Sequence, residues 1–213
     1  MGLEGVNRGD PMRIGILGGT FNPPHLGHLA LARECDARFG LDKVVLIPAF
    51  IPPHKNVEDE VSPEDRLRMV RLAVKGEAGF EVSTYEMEKR GVSYLIEAIE
   101  HFKKEYGLDT ELFFLTGGDS VSALSTWKEI DRVLELVTFV VASRPGFRME
   151  GKHEGKVTCI DIPEVDISSS MIRECVKSVR PIDDLVPQAV AEYIMDKGLY
   201  RKPLPKNCSA RDQ

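Results

Sequence analysis

Two histidines set three residues apart, His25 and His28, close a segment that opens on paired glycines: Gly18-Gly19-Thr20-Phe21-Asn22-Pro23-Pro24-His25-Leu26-Gly27-His28. The chain holds five histidines, and this stretch uses two of them. Glycine lets the backbone approach an anionic ligand closely. A helix N-terminus adds free N–H groups and a partial positive charge, and residues three apart share one helix face. Glycines running into a helix with two imidazoles on its first turn are therefore built to hold phosphate. His-x-x-His could also ligate a metal, but no third ligand is evident, so no protein-held metal is expected. Neither GxxxxGK[ST] nor GxGxxG occurs, which argues against a P-loop and a standard dinucleotide fingerprint.

The neighbouring elements must present this segment. Met12–Leu17 reads as a buried first strand and Leu29–Cys35 as a helix. Strands are predicted over Arg13–Leu17, Lys43–Pro48, Glu81–Tyr85, Glu111–Thr116, Thr138–Ala142 and Val157–Ile162. Their short Val-, Ile- and Phe-rich runs suit strands covered on both faces. Ser62-Pro63-Glu64-Asp65 signals a helix start, with a cap, a first-turn proline and two acids. Leu67, Val70 and Val74 then form a core stripe. Leu95, Ile99, Phe102 and Tyr106 repeat at helical spacing towards Gly107, and Val190 and Ile194 mark a last helix that stops at Gly198. Alternating strands and helices predict an α/β fold, a Rossmann-like doubly wound parallel sheet with a small C-terminal helical part. In such sheets ligands bind beyond the C-terminal strand ends where strand order switches, and the glycine–histidine segment lies at such an end. A single domain is expected over residues 12–201, with 1–11 and 202–213 as disordered tails.

Bulk properties narrow the partners. The chain has 213 residues, of which 42% are hydrophobic and 29% charged, the profile of an ordinary soluble globular protein. A formal charge of −6 argues against a nucleic-acid coat but leaves room for a small positive nucleotide pocket. The four cysteines form no CxxC pair, so reduced thiols in the cytoplasm are expected. No run has the length of a membrane span, and no membrane partner is expected. A homo-oligomer is left open.

At this point a family resemblance enters. Gly18–His28 resembles the GGTF(D/N)PPHxGH signature of the nucleotidylyltransferase superfamily. Ile167-Ser168-Ser169-Ser170-Met171-Ile172-Arg173 resembles its ISSTxIR motif, with serine for threonine at 170. Pro48-Ala49-Phe50-Ile51-Pro52-Pro53-His54-Lys55 resembles the PxxxPPHK element of the nicotinate mononucleotide adenylyltransferases. Arg90–Tyr94 is similar to that family's GxSYT, and Gly117-Gly118-Asp119 with Trp127 to its GxD and tryptophan. Arg144-Pro145-Gly146 has its RPG look. The similarity spans roughly Met12 to Arg201.

The resemblance implies ATP contacts at Gly18, Gly19, Thr20, Phe21, His25, His28, Ser169, Ser170 and Arg173. It implies mononucleotide contacts at Lys55, Ser93, Tyr94, Leu95, Gly117, Asp119, Trp127 and Arg144. His25, His28, Lys55 and Arg173 would be the catalytic set, stabilising charge as the α-phosphorus is attacked. The implied reaction joins ATP to nicotinate mononucleotide, giving deamido-NAD and pyrophosphate, with Mg²⁺ held mostly by ATP and water. One segment departs from the pattern. Where the family reads SYTxxTL, Ser93-Tyr94-Leu95-Ile96-Glu97-Ala98-Ile99 lacks both threonines, so nicotinamide mononucleotide stays open as an acceptor. Phosphopantetheine is another alternative acceptor, and a nucleotide-binding regulator without turnover is a third reading.

Overall fold

A single sheet of six parallel strands organises the computed structural model, which describes residues 11–53, 61–143, 152–161 and 166–201. In chain order the elements are β1 (Arg13–Gly19), α1 (Leu26–Phe39), β2 (Lys43–Pro48), α2 (Pro63–Ala73), β3 (Phe80–Val82), α3 (Tyr85–Lys89), α4 (Leu95–Tyr106) and β4 (Glu111–Gly117). A 3₁₀ segment (Gly118–Thr126), α5 (Ile130–Leu136), β5 (Thr138–Ser143), β6 (Thr158–Asp161), α6 (Ser169–Lys177) and α7 (Gln188–Lys197) follow. The strand order is β3-β2-β1-β4-β5-β6, so the sheet is doubly wound and its order switches between β1 and β4. The glycine–histidine segment leaves the C-terminal end of β1 at this switch.

Strand alternation divides the core into two layers. Ile14, Ile16, Val45, Ile47, Phe114 and Phe139 face the layer covered by α4 and α5. Leu17, Val44, Leu46, Phe113, Leu115 and Val140 face the layer covered by α1 and α2. Both faces are dry, which is why the strands read as unbroken apolar runs. A third cluster joins α2 to α6 and α7 through Met69, Ala73, Ile172, Val176, Val190 and Ile194. This is the expected C-terminal helical part.

Three local expectations need correction. The predicted strand Glu81–Tyr85 is Phe80–Val82, because Ser83 Oγ accepts the Tyr85 N–H at 3.2 Å and turns the chain into α3. The last strand is Thr158–Asp161, and Ile162 lies outside the described residues. In α2 the cap is as expected, with Ser62 Oγ accepting the Asp65 N–H at 3.0 Å. Val70 and Val74 of the expected stripe are buried, Leu67 is only half-buried, and Arg66, Met69 and Ala73 are buried as well. The helix is packed on two sides, by the sheet and by the C-terminal helices, so a single-stripe pattern understates what it buries. Gly198, at φ 64, ends α7 as expected. The expected tails lie outside the described residues apart from Pro11.

Candidate active site

The glycine–histidine segment is shaped by close packing. A Cβ at Gly18 would stand 3.1 Å from the Phe114 ring on β4, and one at Gly19 would stand 3.2 Å from the Phe21 ring. Phe21 turns through a positive φ of 50 and is buried, with its ring centroid 4.9 Å from that of His28. His25 caps α1 from an extended conformation, and the Leu26 N–H beyond it donates to Leu185 O at 3.0 Å. The two imidazole centroids are 3.7 Å apart. The His25 N–H donates to His28 Nδ1 at 3.1 Å. With Nδ1 an acceptor, the neutral His28 ring carries its proton on Nε2. His25 is 9% exposed, and burial pushes its pKa down to about 4, so it is neutral at pH 7. Its buried Nδ1 has no hydrogen-bond partner among the described residues.

The second motif docks directly on the first. Ser168 caps α6 by accepting the Met171 N–H at 3.1 Å. Ser169 Oγ donates to Pro23 O at 2.8 Å, and Arg173 Nη1 donates to Asn22 O at 2.9 Å. Arg173 Nη2 also donates to Ser170 Oγ at 3.2 Å. Helix N-termini leave their first amides without intrahelical acceptors. Those of α1 and α6 therefore both flank the Asn22–Pro23 turn. From beyond α7, Tyr200 Oη donates to Asn22 Oδ1 at 2.7 Å, a buried bond.

Tyr94, Leu95 and Trp127 converge on the opposite layer of the sheet, all packed on the cluster containing Phe114 and Phe139. Trp127 is half-buried and edge-on to both rings, at 5.9 and 6.0 Å. Lys128 Nζ sits 4.4 Å over the Tyr94 ring and 2.9 Å from Glu97 Oε1, while Lys89 Nζ lies 2.5 Å from Glu97 Oε2. Hydrogen bonds from Lys89, then Lys128, hold the Glu97 carboxyl below its usual range. Gly117 ends β4 and Asp119 lies in the 3₁₀ segment that follows. Lys55 and Arg144 lie outside the described residues.

Ser93, which the resemblance implies as a mononucleotide contact, makes hydrogen bonds within the protein. Its Oγ donates to Glu86 Oε2 at 2.7 Å and accepts the Phe50 N–H at 2.9 Å, while its own N–H donates to Ile51 O at 2.9 Å. It therefore ties down the loop after β2. Glu86 is buried, which raises its pKa, with the Ser93 bond and Lys89 pulling the other way. Arg66 is a further residue that motif reading passed over. It is 2% exposed, and its Nη atoms donate to Thr20 O, Ala49 O and Phe50 O. A signal was present: Arg66, Met69, Val70 and Ala73 follow i, i+3, i+4, i+7, an arginine in step with an apolar face.

This order of strands, with paired imidazoles and a capped helix start at the switch point, defines a nucleotidyltransferase of the cytidylyltransferase-like class, and residues 16–175 match that family's model. The chain is 45% identical over 190 residues to the probable nicotinate-nucleotide adenylyltransferase of Halalkalibacterium halodurans, covering 89% of this chain and 91% of that one. It is 40% identical over 188 residues to the nicotinate-nucleotide adenylyltransferase of Bacillus subtilis, covering 88% and 98%. Its fold resembles that of a Plasmodium falciparum nicotinic acid mononucleotide adenylyltransferase complexed with NaAD, with a TM-score of 0.73 at 18% identity, covering 89% and 97%. The chain belongs to the nicotinate-nucleotide adenylyltransferase family. No helix among the described residues is long and apolar enough to cross a membrane.

Proposed function

We propose that this protein transfers the adenylyl group of ATP to nicotinate mononucleotide, forming deamido-NAD and releasing pyrophosphate. The observation that carries the reading is the docking of Ser169 and Arg173 on the Pro23 and Asn22 carbonyls, which makes one site of two phosphate-suited helix starts. The 5′-phosphate oxygen of the mononucleotide attacks the α-phosphorus of ATP, and the bond to the bridging oxygen breaks as pyrophosphate leaves. That nucleophile is already ionised at neutral pH, so positioning and charge stabilisation carry the catalysis. Neutral His25 and His28 donate hydrogen bonds to the phosphate oxygens on which charge develops. Gly18, Gly19, Thr20 and Phe21 shape the triphosphate cradle, with Ser169, Ser170 and Arg173 on its far side. Lys55 and Arg144 supply positive charge.

Ser93, Tyr94, Leu95, Gly117, Asp119 and Trp127 hold the pyridine nucleotide, and Ser93 also fixes the loop after β2. Neither phosphate-facing segment, Gly18–His28 or Ile167–Arg173, contains a carboxylate. A resident hard cation does not suit that donor set, and Mg²⁺ is taken as part of the ATP substrate. Reduced thiols and an ATP-consuming reaction suit the cytoplasm.

The test is a product assay with MgATP and, separately, nicotinate mononucleotide, nicotinamide mononucleotide and phosphopantetheine, run on wild type and His28→Ala. Deamido-NAD should be the preferred product. The variant should keep its fold and lose on the order of a hundredfold or more in kcat. A His28→Ala enzyme of near-normal turnover would remove the histidines from the chemistry, and preference for another acceptor would reassign the substrate.

A further inference from the structure

We infer that Arg66 is a positioning residue for adenylyl transfer: its guanidinium sets the spacing between the segment after β1, which receives ATP, and the segment after β2. The chemistry of the two ligands rests on the function proposed above; the clamp itself rests on geometry. Nη1 donates to Thr20 O at 2.9 Å, within the glycine–histidine segment, and also to Ala49 O. Nη2 donates to Phe50 O at 2.8 Å. Thr20 follows β1, while Ala49 and Phe50 follow β2, so one planar fork spans both strand ends.

The sheet ladder carries β1 and β2 together only as far as the Ala49 N–H on Gly19 O, at 2.9 Å. Beyond that bond each segment is anchored by a different element. Asn22 and Pro23 are held by α6 through Arg173 and Ser169. Phe50 and Ile51 are held by Ser93. Among the described residues, Arg66 is the side chain that bonds both loops at once, from a helix that belongs to neither.

The energetics argue that this is more than packing. Met69 and Val70 fill the same buried face of α2 with apolar side chains at no electrostatic cost. A desolvated guanidinium whose acceptors are all neutral carbonyls is expensive, and an apolar residue of similar volume is often the more stable choice. Burial accordingly pushes the pKa of Arg66 down, and its Nε has no partner among the described residues. What the guanidinium supplies and a hydrocarbon cannot is a rigid fork holding three carbonyls in fixed relation. In-line transfer requires that relation, because a misplacement of about 1 Å costs on the order of a hundredfold in rate.

Arg66→Lys tests the clamp, since it keeps the charge and removes the fork. Folding is checked by circular dichroism and thermal unfolding. Dissociation constants are measured by calorimetry, separately for a non-hydrolysable ATP analogue and for nicotinate mononucleotide, and kcat is measured with both substrates. Folded Arg66→Lys should bind each ligand within about threefold of wild type and lose about thirtyfold or more in kcat. A purely structural role would lower stability and leave the turnover of folded molecules unchanged. Arg66→Met, which removes charge and fork together, serves as the second variant and should show at least as large a loss of kcat. Either folded variant with kcat within about threefold of wild type overturns the proposal, as does failure of both to fold. If wild type prefers another acceptor, the substrate assignment fails and the clamp is judged with that acceptor. If wild type turns over none, both fall.

Discussion

An imidazole that cannot reach water gives up its proton at a higher acidity than one in a peptide, and His25 is in that position. The ring is buried, with its centroid 3.7 Å from that of His28 and the two planes tilted, and burial rather than any neighbouring cation lowers its pKa. The consequence for stability has a definite sign. The unfolded chain takes up this proton near 6.5 and the folded chain near 4, so the unfolded state binds more protons between those values. Stability from this residue is full above pH 6.5, falls as pH drops towards 4, and levels off below. The span corresponds to roughly 3 kcal/mol. His25→Asn should remove this pH dependence, so the stability difference between wild type and variant should narrow by about that amount across the window. Urea unfolding at a series of pH values measures it; a difference independent of pH would mean that His25 is not desolvated. The residue types and spacing of this pair were legible in the sequence. The neutrality of His25 was not, because it arises from the walls around that ring.

Helix starts deliver the site, and their caps can be compared with one another. Ser62 and Ser168 each accept an N–H three residues on, at 3.0 and 3.1 Å. Replacing either by alanine should cost about 1 kcal/mol, or about 2–4 °C in Tm for a chain of this size. The functional outcomes should differ. Ser168→Ala loosens the first turn of α6, where Ser169 and Ser170 belong to the phosphate cradle, and should raise KM for ATP several-fold. Ser62→Ala loosens the first turn of α2, which carries Arg66 but touches no ligand, and should leave KM for ATP unchanged while lowering kcat. An unchanged KM for ATP in Ser168→Ala would show that α6 takes no part in ATP binding. The central strands were readable because dry faces on both sides leave unbroken apolar runs. The predicted strand through Tyr85 failed because Ser83 turns the chain after three strand residues. The α2 stripe held at Val70 and Val74 but missed Arg66, Met69 and Ala73, because two layers bury that helix and single-face periodicity describes only one.

Across the whole chain, the site is closed from a distance. Tyr200, the last residue but one that the structure describes, reaches back to Asn22 beside the histidines, and Leu185 takes the first amide of α1. The C-terminal helices thus hold the phosphate segment as well as packing on α2. Tyr200→Phe leaves Asn22 Oδ1 without this donor inside the protein and should cost about 1–2 kcal/mol. Thermal unfolding should show a loss of about 2–8 °C, with a fall in kcat as the Asn22–Pro23 turn loosens. An unchanged Tm would show that this bond contributes nothing to the closure. No local pattern announces Tyr200, since its partner lies 178 residues away.

Chemistry that depends on residue type and short-range spacing was written in the chain: glycines before a helix start, two histidines one turn apart, serines and an arginine at a second helix start. Strand and helix alternation likewise implied the doubly wound sheet, because periodicity is a local record of which faces are dry. Tertiary structure decided how these pieces meet. It docked α6 on the Asn22 and Pro23 carbonyls, assigned the Ser93 hydroxyl to Glu86 and Phe50, drove the His25 proton off by burial, and set the Arg66 fork between two loops. Each of these depends on groups far apart in sequence, and a one-dimensional pattern carries no information about desolvation or about which carbonyls lie within 3 Å of a buried guanidinium.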